Sequence, residues 1–254
     1  MAHANIGMLR TLFGFGSSIL ENEECTRLKG VLSGMAFEMP KARSERLTAE
    51  HVNLIRAKAW EMGRPSIALA QALQFECMFR QKDIIGEWLP IREPGISDVQ
   101  QDGYKWLRGI RWEEIGPDMV LTHVTSKRQK EIRVNLRNAP MVMEELARLG
   151  ERPSKGPVIV CEADGFPWTA VLFRKWWRKL ADAAGIPKTV RNMDSRAGAI
   201  SEATDAGADL EHVRHAATHS NISMTQRYSR GAEDKIIGVQ KARIEFRTKQ
   251  KRDD

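Results

Sequence analysis

From Arg196 to Tyr228 the chain reads RAGAISEATDAGADLEHVRHAATHSNISMTQRY, placing three arginines, three histidines and a tyrosine in one stretch. Arg196 opens a small-residue run suited to a helix, and Gly207 breaks it. A second short helix runs into Thr218-His219-Ser220, and a third carries Tyr228, nine positions after His219. Two chemistries compete for these residues. His212, His215 and His219 fall at i, i+3 and i+7, with Asp209 and Glu211 close by. On one unbroken helix they would align three imidazoles for a metal ion, as a metal-dependent nuclease requires. Against this, Thr218-His219-Ser220 reads as a turn that swings His219 off that face, and no HExxH or CxxC motif supports a metal site. The other chemistry uses the planar arginine fork, which presents parallel donors to a phosphate, with an imidazole and a phenol further along.

Other parts lie upstream. In Phe79-Arg80-Gln81-Lys82-Asp83 the acid follows the arginine by three residues and can fix its guanidinium in one orientation. The plain alternative is an arginine lying against the negative end of a helix. Met119 to Leu136 reads as a β-hairpin. Met119 to Leu121 and His123-Val124 form one strand, Ile132, Val134 and Leu136 alternate on the return, and Ser126 to Lys130 make a basic tip.

Taken in order, these parts resemble the active site of the tyrosine recombinases, the phage-integrase family, over residues 40 to about 240. The resemblance implies a mainly α fold with a small antiparallel β-sheet (α+β). It implies that Arg80 and Arg196 clamp a phosphate, with Asp83 in support, and that His219 is a third donor. Tyr228 would attack and form a 3′-phosphotyrosyl bond, and Lys127, with Lys130 the runner-up, would protonate the leaving 5′ oxygen. Bond energy is kept in the covalent intermediate, so no cofactor, neither ATP nor metal, is required. The implied partners are double-stranded DNA and further copies of the chain, a tetramer in a synaptic complex. Met193 stands where the family has a histidine three residues before its second arginine, and Thr218 where it usually has glycine. These departures keep open a second reading, a catalytically impaired DNA-binding relative.

Composition agrees with a polyanionic partner. The 254 residues include 40 Lys plus Arg and carry a formal net charge of +7, and cations that displace condensed counterions are the main source of nucleic-acid affinity. Cys25, Cys77 and Cys161 are odd in number and widely spaced, which argues against a disulfide framework and suits a reducing cytoplasm, bacterial or phage-encoded in the family's terms. A signal peptide is not indicated, and no stretch approaches a membrane span.

In chain order, residues 1–39 read as two or three helices with apolar faces, Met8, Leu9, Leu12, Phe13, Phe15 and Leu20 on one and Leu28, Val31, Leu32, Met35 and Phe37 on another. They resemble the end of the helical core-binding domain of integrases, as expected of a truncated chain or, as the less favoured alternative, of an unusually short protein without the N-terminal arm. Residues 40–46 are a basic linker whose Lys41 and Arg43 would lie along DNA, and 47–254 form the catalytic domain with a C-terminal tail. Residues 87–111 look like an insertion without a readable role. Val158 to Val160 suggest a short strand. Thr169 starts an amphipathic helix with Leu172, Phe173, Trp176, Trp177 and Leu180 inward. Arg174, Lys175 and Arg178 on that helix, with Arg128 and Lys130 on the hairpin, complete the expected DNA-facing set.

Overall fold

The computed structural model describes residues 2–35 and 45–226, in two compact units, Met1–Ser44 and Glu45–Asp254. The first unit is a pair of helices, α1 (Ala2–Ser18) and α2 (Glu23–Gly34). Asn22 caps α2 by accepting from the Cys25 amide at 2.9 Å, as a short polar side chain at an N-cap does. Arg10 on α1 ties the end of α2, donating to the carbonyls of Leu32 and Met35. No residue of α2 is buried, and Met8, Leu12, Phe15, Leu20 and Val31 are at least half exposed. Two helices have too little surface to enclose a core of their own. Phe37 lies outside the described residues.

The second unit is built around α4 (Pro65–Glu76), in which every residue from Ser66 to Phe75 is buried. Pro65 starts this helix at a position whose missing N–H costs nothing. Around it pack α3 (Ala49–Glu61), α5 (Gln81–Ile85), α6 (Pro140–Leu149) and α8 (Asp194–Asp205). Thr48 caps α3 by accepting from His51, and the buried Arg56 of α3 reaches Glu145 of α6 at 2.8 Å. The same Glu145 accepts from the Trp60 indole, so this buried carboxylate has both of its oxygens engaged.

In the middle of the otherwise apolar stretch from Ile67 to Phe75 stand two glutamines, and these set the position of the rest. Gln71 donates to Ser195 Oγ at 2.8 Å and accepts from the Trp177 indole at 2.7 Å. Gln74 accepts from Asn192 Nδ2 at 2.9 Å. The core helix is thereby hydrogen-bonded to α7 (Ala170–Ala183) and to the start of α8. α8 also runs hard against the segment by which the chain enters the unit. A Cβ on Gly198 would lie 1.8 Å from the Leu47 carbonyl oxygen, so only glycine allows that approach.

Residues 87–111, expected as an insertion, contain a three-stranded antiparallel sheet in the order β1 (Glu87–Pro90), β3 (Tyr104–Leu107), β2 (Gln100–Gln101), with Trp88 opposite Trp106. Lys105 is buried there, its ammonium donating to the carbonyls of Ile91, Glu93 and Gly95. The expected hairpin is β4 (Val120–Val124) with β5 (Glu131–Asn135), Leu121 opposite Val134 and His123 opposite Ile132. Two expectations are corrected. Residues 158–160 form no strand; Pro157 and Val160 make isolated bridges to Arg111 and Pro167, because the segment has no neighbour long enough to form a ladder. On α7, Leu172 is 37% exposed although Phe173, Trp177 and Leu180 are buried; the helix starts at Ala170, and its first turn projects beyond the core. Among the described residues no helix is long and apolar enough to cross a membrane.

Candidate active site

Arg80 ends the segment after α4 and caps α5. Its amide donates to Asp83 Oδ2 at 3.3 Å, and the other oxygen of Asp83 accepts from the Ser126 amide at 2.7 Å. Asp83 is fully buried, so one carboxylate joins the arginine segment to the base of the β4–β5 turn. The Arg80 guanidinium donates to Thr218 Oγ1 at 3.1 Å.

Arg196 lies in the first turn of α8, whose position the Gln71–Ser195 bond fixes one residue away. Its guanidinium donates to the Met78 carbonyl at 2.7 Å and to the Ala217 carbonyl. Arg80 and Arg196 are therefore held from the same two chain segments, 78–80 and 217–218. Both carbonyl contacts depend on left-handed turns, Met78 at φ +53° and Thr218 at φ +51°.

α9 (Leu210–Ala216) is capped by Asp209, which accepts from the amides of Glu211 and His212. The helix ends where Thr218 turns the chain, and His219 folds back so that its amide donates to the Arg214 carbonyl at 2.9 Å. His219 is 5% exposed and lies 3.0 Å through Nδ1 from Thr225 Oγ1 on α10 (Ile222–Gln226). Burial, then the positive charge of Arg196, Arg80 and Arg128, lowers its pKa to about 4. The ring is thus neutral near pH 7, and the cations that lower its pKa are Arg196, Arg80 and, from the hairpin tip, Arg128.

The three-histidine metal site is not formed. The turn at Thr218 takes His219 into the interior, whereas His215 stays on the surface of α9 beside Glu211, and among the described residues no cluster of three or more His, Cys, Asp or Glu could hold a metal.

The remaining expected residues are placed as follows. Lys127, Arg128 and Lys130 are exposed on the turn between β4 and β5, which is closed by Thr125 bonding the Lys130 carbonyl. Arg174 and Lys175 are exposed on α7. Arg178 is held inward, donating to the carbonyls of Ile186 and Val190 and pairing with Asp182 at 2.9 Å, so it braces the loop into α8. Met193 is 62% exposed just before α8 and lines a hollow of about 380 Å³ with Gln81, Arg174 and Arg191. Tyr228, Lys41 and Arg43 lie outside the described residues. Sequence reasoning did not find the Met78 and Ala217 carbonyls, since any residue supplies a carbonyl. It also missed the Thr225 hydroxyl and Arg214, whose guanidinium donates to the His219 carbonyl at 2.9 Å.

Comparison with known proteins assigns a class. The phage integrase family model matches residues 105–235, more than half of the chain, and the chain belongs to that family. The matched stretch contains Lys127, Arg196, His219 and Tyr228; Arg80 lies before it. Among solved structures, a lambda integrase dimer bound to a COC′ core site is similar with TM-score 0.60 at 15% identity, over 83% of this chain and 70% of that one. XerA recombinase is similar with TM-score 0.53 at 13% identity, over 92% and 80%. The Tn1549 transposon integrase in complex with circular intermediate DNA gives TM-score 0.52 at 13% identity, over 84% and 68%. The fold is that of a tyrosine recombinase catalytic domain. No curated protein sequence matches the chain.

Proposed function

We propose that this chain is a site-specific recombinase that cleaves and rejoins double-stranded DNA through a 3′-phosphotyrosyl intermediate. The observation that carries this reading is the convergence of Arg80, Arg196 and His219, tied to one another through residues 217–219. Two guanidiniums provide donors for the non-bridging oxygens of a phosphodiester, where charge accumulates as the five-coordinate centre forms. His219 is neutral and bonds Thr225 Oγ1 through Nδ1; in the tautomer where Nδ1 accepts from that hydroxyl, Nε2 carries the proton and is a further N–H donor.

In the reaction, the Tyr228 hydroxyl gives up its proton to water and attacks the phosphorus, a phosphorus–oxygen bond to tyrosine forms, and the bond to the 5′ oxygen breaks. Lys127 gives that oxygen its proton and leaves a free 5′-hydroxyl. Attack by the 5′-hydroxyl of another strand reverses the step and releases the tyrosine. Phosphate displacement is balanced throughout without a nucleotide or metal. The structurally similar lambda integrase is recorded as a dimer on a core site and as a tetramer on a Holliday junction, which supports DNA and further copies of the chain as partners.

The test is a nicked half-site substrate that loses its short 5′-hydroxyl product and traps the protein on DNA. The expected result is an SDS-resistant adduct that forms equally well in excess EDTA and is absent from Tyr228→Phe, while DNA binding survives. An adduct formed by the Phe variant overturns the assignment of Tyr228. The exposed Met193, a thioether with no donor, favours a second reading, a DNA-binding relative without catalysis. Binding without any wild-type adduct would establish it.

A further inference from the structure

We propose that Thr218 is a positioning residue that holds the Arg80 guanidinium in the clamp, an inference that rests on the phosphate-binding role given to Arg80 above. Thr218 stands at φ +51°, where a β-branched residue is a rare outlier because its side chain crowds the backbone. The turn itself requires that conformation. It ends α9, with the Thr218 amide on the His215 carbonyl and the His219 amide on the Arg214 carbonyl, each at 2.9 Å. Glycine would make the same turn without strain. Threonine adds a hydroxyl, and that hydroxyl is buried and accepts from Arg80 Nη1 at 3.1 Å. Strained backbone that persists where a side chain makes such a contact is a recognised mark of a functional position.

Asp83 does not do the same work. Its Oδ2 is 3.9 Å from Arg80 Nη1, beyond hydrogen-bond reach, and its close contacts are to the backbone amides of Arg80 and Ser126. Among the described residues, Thr218 Oγ1 is the hydrogen-bond acceptor of the Arg80 guanidinium. Three consecutive residues thus address three members of the site: the Ala217 carbonyl holds Arg196, the Thr218 hydroxyl holds Arg80, and the His219 ring lies in the field of both. A strained turn with a hydroxyl converts the end of α9 into a spacer that sets one guanidinium relative to the other. Two parallel donors act on one phosphate only when their separation is fixed beforehand.

The experiment separates hydroxyl from strain with three variants of the full chain. Thr218→Val keeps the shape without the hydroxyl, Thr218→Ser keeps the hydroxyl without the branch, and Thr218→Gly removes both hydroxyl and strain. On the nicked half-site, Val and Gly are expected to cleave roughly 10–30-fold more slowly, a loss typical of mispositioned rather than missing groups. Ser is expected to restore most of that rate, and Gly to melt no lower than wild type. Half-site affinity should change little in all three. Gly cleaving as fast as wild type, or Val matching Ser, overturns the proposal. If the wild type forms no adduct, the recombinase reading fails instead, and Thr218 is then judged by NMR. The Arg80 side-chain N–H signal, assigned with Arg80→Lys, should be sharp in wild type and Ser and broadened by exchange in Val and Gly. The same line shape in all four proteins refutes the role of Thr218.

Discussion

Arg196 and Lys127 are both cations that the proposed reaction brings to one phosphate, yet the protein holds them differently. Arg196 sits on a helix bonded to the core through Gln71 and Ser195, and its guanidinium is fixed by two carbonyls. Lys127 is exposed on a turn with basic neighbours on the same tip, and the base of that turn is bonded to the Asp83 carboxylate through the Ser126 amide. The difference suits the roles proposed for the two groups. Donors to developing charge are most effective when no reorganisation is needed at the moment of reaction. A general acid must approach the leaving oxygen after DNA is in place, and a surface turn permits that approach.

The comparison can be broken at either end. The largest effect is expected for Arg196→Ala, which removes a bidentate donor from a fixed position. Adduct formation should fall by on the order of 10⁴ or more, given roughly 10²–10³ for each preorganised donor. A loss below about tenfold would show that the helix positions something else. Lys127→Ala comes next, at on the order of 10²–10⁴. A substrate with sulfur at the 5′-bridging position needs no proton on its leaving group and should recover most of that rate. Failure to recover moves the acid to Lys130 or elsewhere.

Asp83→Asn tests the link between the two regions. Its charge holds the amides of Arg80 and Ser126 together, so the variant should cleave roughly 10-fold more slowly, as for a misplaced group. The Ser126 amide should exchange its hydrogen faster, and unchanged exchange would sever the proposed link. Met193→His is expected to raise the cleavage rate by no more than about 10-fold, less than a fully preorganised donor gives, because residue 193 lies at an exposed rim before α8. A drop in rate would mean that the thioether contributes by packing.

The smallest effect is a pH dependence. The His219 pKa is lowered from 6.5 to about 4, so the folded protein binds fewer protons than the unfolded chain between these values. Stability from this group is complete above about pH 6.5 and declines as pH falls toward 4. Its ring resonances should stay constant from neutral pH down to about 5 and move near pH 4. Movement near 6.5 would show that the ring is not buried beside the arginines.

These residues also show which parts of the site are legible in sequence. Arg196, Gly207, His219 and the turn between them are local, and residue type alone announces the helix stops. The hairpin alternates over five residues a side, enough for its period to be read. The contact between Arg80 and Thr218 spans 138 positions and the supports of Arg196 are main-chain carbonyls, so neither leaves a local pattern. The β1–β3–β2 sheet escaped notice because its strands are two to four residues long and polar at Gln100-Gln101. The apolar triplet at 158–160 looked like a strand because pattern cannot reveal whether a partner strand exists.

The entry of the chain into its second unit bears on how such proteins can be recombined into chimeras. Arg46 pairs with Asp205 at 2.9 Å, the Leu47 amide bonds the Asp194 carbonyl, and the Leu47 carbonyl presses on Gly198. Before its first helix begins, the unit has already gripped both ends of the helix that carries Arg196. A graft that joins a foreign N-terminal part after Leu47 would leave that helix without its outer brace, however well the new part folds. The junction belongs before Glu45, where the two compact units divide.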